Sequence, residues 1–228
     1  MKKTALAGLL FLICFALGEK TAHAQFSIGA GYEYTQFSLN GDRHEQPFDG
    51  FTAELGYTAR FMKRMLGINL GAAYSFSTRT NGKTSIGVQT TQEQAVTIPL
   101  KMIIDLPVND FGLIALGGAY ASYGISGMHC YQLDGPDGKV TVRYDYLQNL
   151  ISTDDEVTGE ILDNMDLVIG ESLFRRHDYG LLAGAGIRVR NSLMVSAEYR
   201  HGLCNRYKDA GEGELRRNSV NVKLSFLF

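Results

Sequence analysis

Val220 to Phe228 reads VNVKLSFLF, with Val220, Val222, Leu224, Phe226 and Phe228 apolar and Asn221, Lys223 and Ser225 between them. Successive side chains of a strand point to opposite faces, so this period of two describes a strand with one oily face and one polar face. The chain closes on an aromatic ring.

Seven earlier stretches carry the same signature. The first, about 26–38, sets Phe26, Ile28, Ala30, Tyr32 and Tyr34 against Ser27, Gly29, Gly31, Glu33 and Thr35. The second, 50–62, alternates Phe51, Ala53, Leu55, Tyr57, Ala59 and Phe61 with Thr52, Glu54, Gly56, Thr58 and Arg60. The third, 66–77, opposes Leu66, Ile68, Leu70, Ala72, Tyr74 and Phe76 to Gly67, Asn69, Gly71 and Ser75. The fourth, about 93–106, points Val96, Ile98, Leu100, Met102 and Ile104 one way and Thr97, Lys101 and Asp105 the other, with Pro99 interrupting one ladder bond. The fifth, 111–126, is glycine-rich in its middle, and its facing stays ambiguous. The sixth, 176–190, and the seventh, 192–202, alternate cleanly again. Each is long enough for the roughly 9 to 11 residues that a tilted strand needs to cross a bilayer. The expected fold is all-β: an eight-stranded antiparallel up-and-down transmembrane β-barrel with an oily outside and a polar inside.

At the other end, Lys2 and Lys3 precede an apolar run from Ala5 to Leu17, then Thr21-Ala22-His23-Ala24. That order reads as a secretory signal peptide over residues 1–24, cleaved between Ala24 and Gln25, ahead of a single barrel domain over 25–228. The run is too short for a membrane-spanning helix. Cys14 follows Ile13 rather than a small residue and lies within the apolar run, which argues against a lipoprotein anchor.

Links after the second, fourth and sixth strands are short: 63–64, 107–110 and Asn191. The others, about 39–49, 78–92, 127–175 and 203–216, are long. Transmembrane barrels place short turns in the periplasm and long loops outside, so both termini are expected in the periplasm of an outer membrane. The stretch 127–175 exceeds an ordinary connection and is rich in apolar residues, among them Tyr131, Tyr144, Tyr146, Leu147, Ile161, Leu162, Leu167 and Ile169. It is expected to fold back on itself, to extend its flanking strands, or to contain a short helix.

With a formal charge of −2 the chain has no basic excess, so nucleic acid is not an expected partner. Tryptophan is absent, which leaves 12 Tyr and 12 Phe to form any aromatic girdles at the membrane borders.

A family resemblance rests on four motifs: Thr97-Ile98-Pro99-Leu100, Leu116-Gly117-Gly118-Ala119-Tyr120, 178–186 (DYGLLAGAG) and 198–203 (EYRHGL). In order and spacing they resemble the PorT-like outer-membrane β-barrel domain. The closing Phe226 and Phe228 likewise resemble the C-terminal assembly signal of such barrels. The resemblance implies outer-membrane lipid and the barrel assembly machinery as partners, in some cases a link to assembly of a protein secretion system, and no catalytic motif.

An eight-stranded barrel is just wide enough for its own side chains to fill. Inward Gly29, Gly31, Gly56, Gly71, Gly184 and Gly186 would make room for Glu33, Glu54, Arg60, Lys101, Asp105, Arg188, Glu198, Arg200 and Lys223. Burying such charges is costly unless opposite signs meet, so a lumen salt-bridge network is expected, rather than a proton or ion path. Cys130 and Cys204 fall beyond the outer ends of two strands, where export permits a disulfide but sequence cannot bring the thiols together.

His177-Asp178 and His201 could lie near a rim, with His44 and His129 in loops. No serine motif accompanies them, and neighbours on a strand face opposite ways. A metal site from His129, His177, His201 and the two cysteines has no recognisable ligand spacing. The sequence therefore points to a non-enzymatic barrel without cofactor, whose outer loops contact an extracellular or envelope protein or a glycan. A narrow pore and an accessory factor in secretion are the alternatives.

Overall fold

The structure is a computed structural model, and it describes residues 23–62, 65–84, 87–135, 138–148, 150–153, 174–190, 192–208 and 213–228. Residues 1–22 of the expected leader, with Cys14, lie outside the described residues, as do Ile161, Leu162, Leu167 and Ile169.

Among the described residues the strands are β1 (His23–Leu39), β2 (Asp42–Phe61), β3 (Leu66–Thr84), β4 (Gly87–Val108), β5 (Phe111–Gly135), β6 (Gly138–Asp145), β7 (Leu150–Thr153), β8 (His177–Val189), β9 (Leu193–Gly202) and β10 (Leu215–Leu227). Eight of them, β1-β2-β3-β4-β5-β8-β9-β10, close into an antiparallel ring, with β4 paired to β5 and β1 to β10. The closing seam runs from Ser27 opposite Leu227 to Leu39 opposite Leu215. The terminal Phe228 completes it, its N–H donating to the carbonyl of Phe26 at 2.8 Å. β1 starts at His23, so the expected cleavage point after Ala24 lies two residues inside the strand.

The alternation fixes the faces. Ile28, Leu55, Leu70, Leu100, Leu113, Leu181, Val195 and Leu224 point outward and are exposed, while Glu33, Thr52, Asn69, Thr97, Ser196, Glu198, Asn221 and Lys223 point inward and are buried. Outward aromatics gather at two levels. Phe26, Tyr57, Phe111, Phe226 and Phe228 stand near the end that holds the termini, and Tyr32, Phe51, Tyr123, Tyr179 and Tyr199 stand nearer the far end. Neighbouring rings touch across strands, as in Phe26 with Tyr57 (5.1 Å between centroids) and Phe51 with Phe76 (5.7 Å).

The facing of the fifth strand is resolved. Gly112, Ile114, Leu116, Tyr120 and Ser122 face the lumen, and Phe111, Leu113 and Tyr123 face out. Gly124 then pairs with Ala95 and Ser126 with Gln94, so Ile125 is an extra residue, and the bulge reverses the phase. Beyond it Gly127 is buried in the lumen and His129 lines it.

The expected long links are corrected. Residues 42–49 belong to β2, 78–84 to β3 and 87–92 to β4, so the strands run well past the membrane-crossing stretches. Above the membrane the outward face meets water instead of lipid while the inward one stays buried, so the oily member of the alternation is lost although the ladder continues. At the far end, Asn40 and Gly41 (φ 52° and 95°) form a two-residue hairpin with the positive angles that an Asn-Gly turn accepts. At the opposite end β4 runs through Pro107, and the turn is Asn109-Asp110. Of the stretch 127–175, residues up to 135 extend β5, and β6 and β7 fold back beside it as a projection at the far end. Extension and fold-back therefore both occur.

Candidate functional site

Two clusters of ion pairs lie between mid-barrel and the terminal end of the lumen. Near mid-barrel, Lys101 on β4 contacts Glu54 (2.6 Å) and Glu198 (2.9 Å), and Lys223 on β10 contacts Glu54 (2.5 Å) and Glu198 (2.7 Å). The four form a closed square of two cations and two anions. Toward the terminal end, Asp105 accepts from Arg60 at 2.6 Å and from the Nε and Nη2 of Arg188 at 2.8 and 3.1 Å. Gly112 permits this packing, since a Cβ there would strike the Asp105 carboxylate and the Arg188 guanidinium.

Two of the nine expected lumen charges lie outside these clusters. Arg200 stands 4.0 Å from Glu198 with its guanidinium 5.9 Å from the Tyr120 ring centre. Glu33 pairs instead with Arg217 at 3.1 Å. Beside the square lies an apolar patch of Ile103, Ile114, Leu116, Tyr120 and Leu182, which inward positions of a polar lumen did not foretell. The remaining cavity at this level is about 20 Å³, room for a single water.

The far end of the lumen is closed differently. Tyr146, in the turn after β6, reaches in over Gly127, where only a missing side chain leaves space for its ring. Its hydroxyl donates to Glu93 at 2.5 Å. Burial first, then the neighbouring Glu93 carboxylate, pushes the Tyr146 hydroxyl well above the usual tyrosine range. Asp145 holds the turn by accepting from the N–H groups of Leu147 and Gln148, both at 2.9 Å. Phe174 lies edge-on to Tyr146 (5.3 Å) and stacks on Tyr207 (5.4 Å). Asn205 fixes the segment after β9: its Oδ1 accepts from the N–H of Tyr207 (3.0 Å) and of Leu215 (2.9 Å). That places Arg206 in the lumen, 3.6 Å from Glu93 and with its guanidinium 5.9 Å from the Phe37 ring centre.

Together with Phe48, Arg79, Thr91, His129 and Leu215, these groups line a cavity of about 70 Å³. Arg79 and Arg206 escaped the sequence reading because they lie in segments taken as loops, and Glu93 and Arg217 because they border those segments, outside the clean alternation. The Asn40-Gly41 dipeptide was the available signal, since it marks a tight hairpin and so extends the first two strands.

The other expected sites stay apart. Cys130 and Cys204 are not joined by a disulfide. Cys130 sits on β5 after the bulge, on the alternate position to inward His129, whereas Cys204 is buried with its Sγ 3.7 Å from the carbonyl of His177. His177 is exposed, His201 bonds Asn218 at 2.8 Å, and His129 bonds Thr91 at 2.9 Å. Among the described residues no three His, Cys, Asp or Glu side chains gather as metal ligands would.

Residues 7–228 match a family described as outer membrane protein beta-barrel domain. The chain belongs to that outer-membrane β-barrel family. Its oily outer surface is therefore a lipid-facing one, and its location is the outer membrane. No curated protein sequence matches the chain. Among solved structures, Ail, the attachment invasion locus protein of Yersinia pestis, in complex with the heparin analogue sucrose octasulfate, is 13% identical with a TM-score of 0.45, covering 90% of this chain and 99% of its own. Neisserial surface protein A is 13% identical at 0.44, covering 90% and 98%. The outer membrane enzyme PagL is 11% identical at 0.41, covering 88% and 97%. At these scores the three carry no functional weight.

Proposed function

We propose that this outer-membrane barrel is a non-enzymatic surface protein that binds an extracellular or envelope protein or a glycan through its far end. The observation that carries the reading is the filled lumen. Two ion-pair clusters and an apolar patch occupy its width, so a solute path would require breaking buried pairs, each costly to separate. Function then falls to the exposed ends. The larger is the far end, where β5, β6 and β7 project beyond the ring. The short turn Asn109-Asp110 at the terminal end, against the projection of β5, β6 and β7 at the other, supports periplasmic termini and an external far end. The four motifs quoted above support membership of the narrower PorT-like group.

Binding to immobilised laminin, fibronectin, collagen and glycosaminoglycans tests the reading with barrel reconstituted in nanodiscs. The wild type should bind at least one of them. Deleting 130–172 should abolish that binding while heat-modifiable migration on gels persists. Undiminished binding after the deletion, or no binding by the wild type, would overturn it.

A further inference from the structure

We infer that the far-end cavity is a binding site for a small organic carboxylate with a short apolar body; this rests on, and deepens, the reading of the far end as the binding end. Three observations point there. First, beside the polar groups that line it, the cavity has a hydrocarbon and aromatic wall from Phe37, Phe48, Phe174 and Leu215. A hydrated ion gains nothing from them, and an apolar stem does.

Second, Arg206 lines the cavity at 3% exposure, and its Nε has no hydrogen-bond acceptor among the described residues. The one carboxylate within 4 Å of Arg206 among the described residues, Glu93, stands at 3.6 Å, too far for a hydrogen bond, and the Glu93 oxygen on that side already accepts from Tyr146 at 2.5 Å. A buried N–H left without an acceptor costs free energy. A carboxylate meets a guanidinium edge with two parallel bonds and removes that cost. A neutral amide offers no charge, and an ammonium would be repelled.

Third, the volume sets the size. A cavity of about 70 Å³ holds about five to seven heavy atoms, at 10 to 15 Å³ for each water-sized site. Propionate has that size. Phe174 and Tyr207, both half-buried, stack on each other as one wall of the cavity.

Calorimetric titration of the full barrel in nanodiscs with propionate, propionamide and inorganic phosphate tests the site. Propionate should bind, and propionamide and phosphate at least tenfold more weakly. Arg206→Lys keeps a cation opposite Glu93 but removes the Nε–H, and should weaken propionate at least tenfold with the heat-modifiable shift unchanged. Phe174→Trp, which alters no charge, should weaken it too by filling the cavity from its wall. A valine-ended peptide with a free carboxylate, against the same peptide amidated, separates two sources. Binding of the acid form alone supports a polypeptide end as the natural group; binding of propionate without either peptide supports a free acid. Equal affinity for propionate and propionamide, no propionate binding to folded wild type, or unchanged binding in both variants would overturn the inference. None of these results touches the macromolecular binding lost on deleting 130–172, so the two readings fail separately.

Discussion

The Nζ of Lys101 on β4 lies 2.9 Å from the Oε1 of Glu198 on β9. These strands are not neighbours in the ring, so the bond spans the interior rather than a ladder. With Glu54 and Lys223 it makes a cross-brace whose four charges cancel.

Breaking that brace at one corner leaves an uncompensated buried charge. Lys101→Met should destabilise the barrel by about 3 to 5 kcal/mol, read as an earlier midpoint of urea unfolding from lipid vesicles. Adding Glu54→Gln restores the balance, leaving Lys223 with Glu198, and should recover part of the loss. A double variant less stable than Lys101→Met would show that the square does not act as a unit.

Leu181 and Leu182 are adjacent on β8, yet 55% and 3% exposed. Leu182 packs into the lumen patch, where truncation leaves a void that the closed ring cannot collapse around. Leu182→Ala should cost about 2 to 5 kcal/mol. Leu181→Ala should cost less, because fluid lipid closes over the missing methyls. Equal effects would contradict the facing of this strand.

The thiols offer a chemical check. Burial raises the Cys204 thiol above its ordinary pKa and hides it, so it should react with maleimide much more slowly than the half-buried Cys130. Mass spectrometry without reductant should show the two unlinked. A mass lower by two hydrogens, restored by reductant, would contradict the arrangement.

Tyr146 supplies a pH dependence. Its folded pKa is raised, so the stability it contributes is complete below the ordinary tyrosine value near 10 and declines as pH rises through the folded value. In an alkaline titration of tyrosinate absorbance, the difference between wild type and Tyr146→Phe should report one phenol ionising later than an ordinary tyrosine. A difference centred at or below pH 10 would mean that the ring does not seat beside Glu93.

How much of this was legible in the sequence follows from what lay on each side of a strand. Where lipid covers one face and the lumen the other, as from Phe26 to Tyr34 or from Val220 to Phe228, alternation exposed both facing and register. Where water replaces lipid on the outer face, as at Thr78, Thr80, Thr90 and Gln92, that face turns polar like the buried inner one, and the pattern vanishes although the strands continue. The lumen patch was hidden for the opposite reason: Leu116 and Leu182 are apolar on the inner face beside apolar outer neighbours. The far-end cavity was least legible, because Phe37, Glu93, Tyr146 and Arg206 meet only after a bulge, two hairpins and ring closure.

Conductance of the reconstituted protein in planar lipid bilayers bears most directly on the filled barrel. Braced by Lys101, Glu198, Lys223 and Glu54 and capped by Tyr146, the wild type should insert without discrete current steps. Reproducible ohmic steps from folded, heat-modifiable protein would mean that the lumen is open, and that function does not rest with the far end alone.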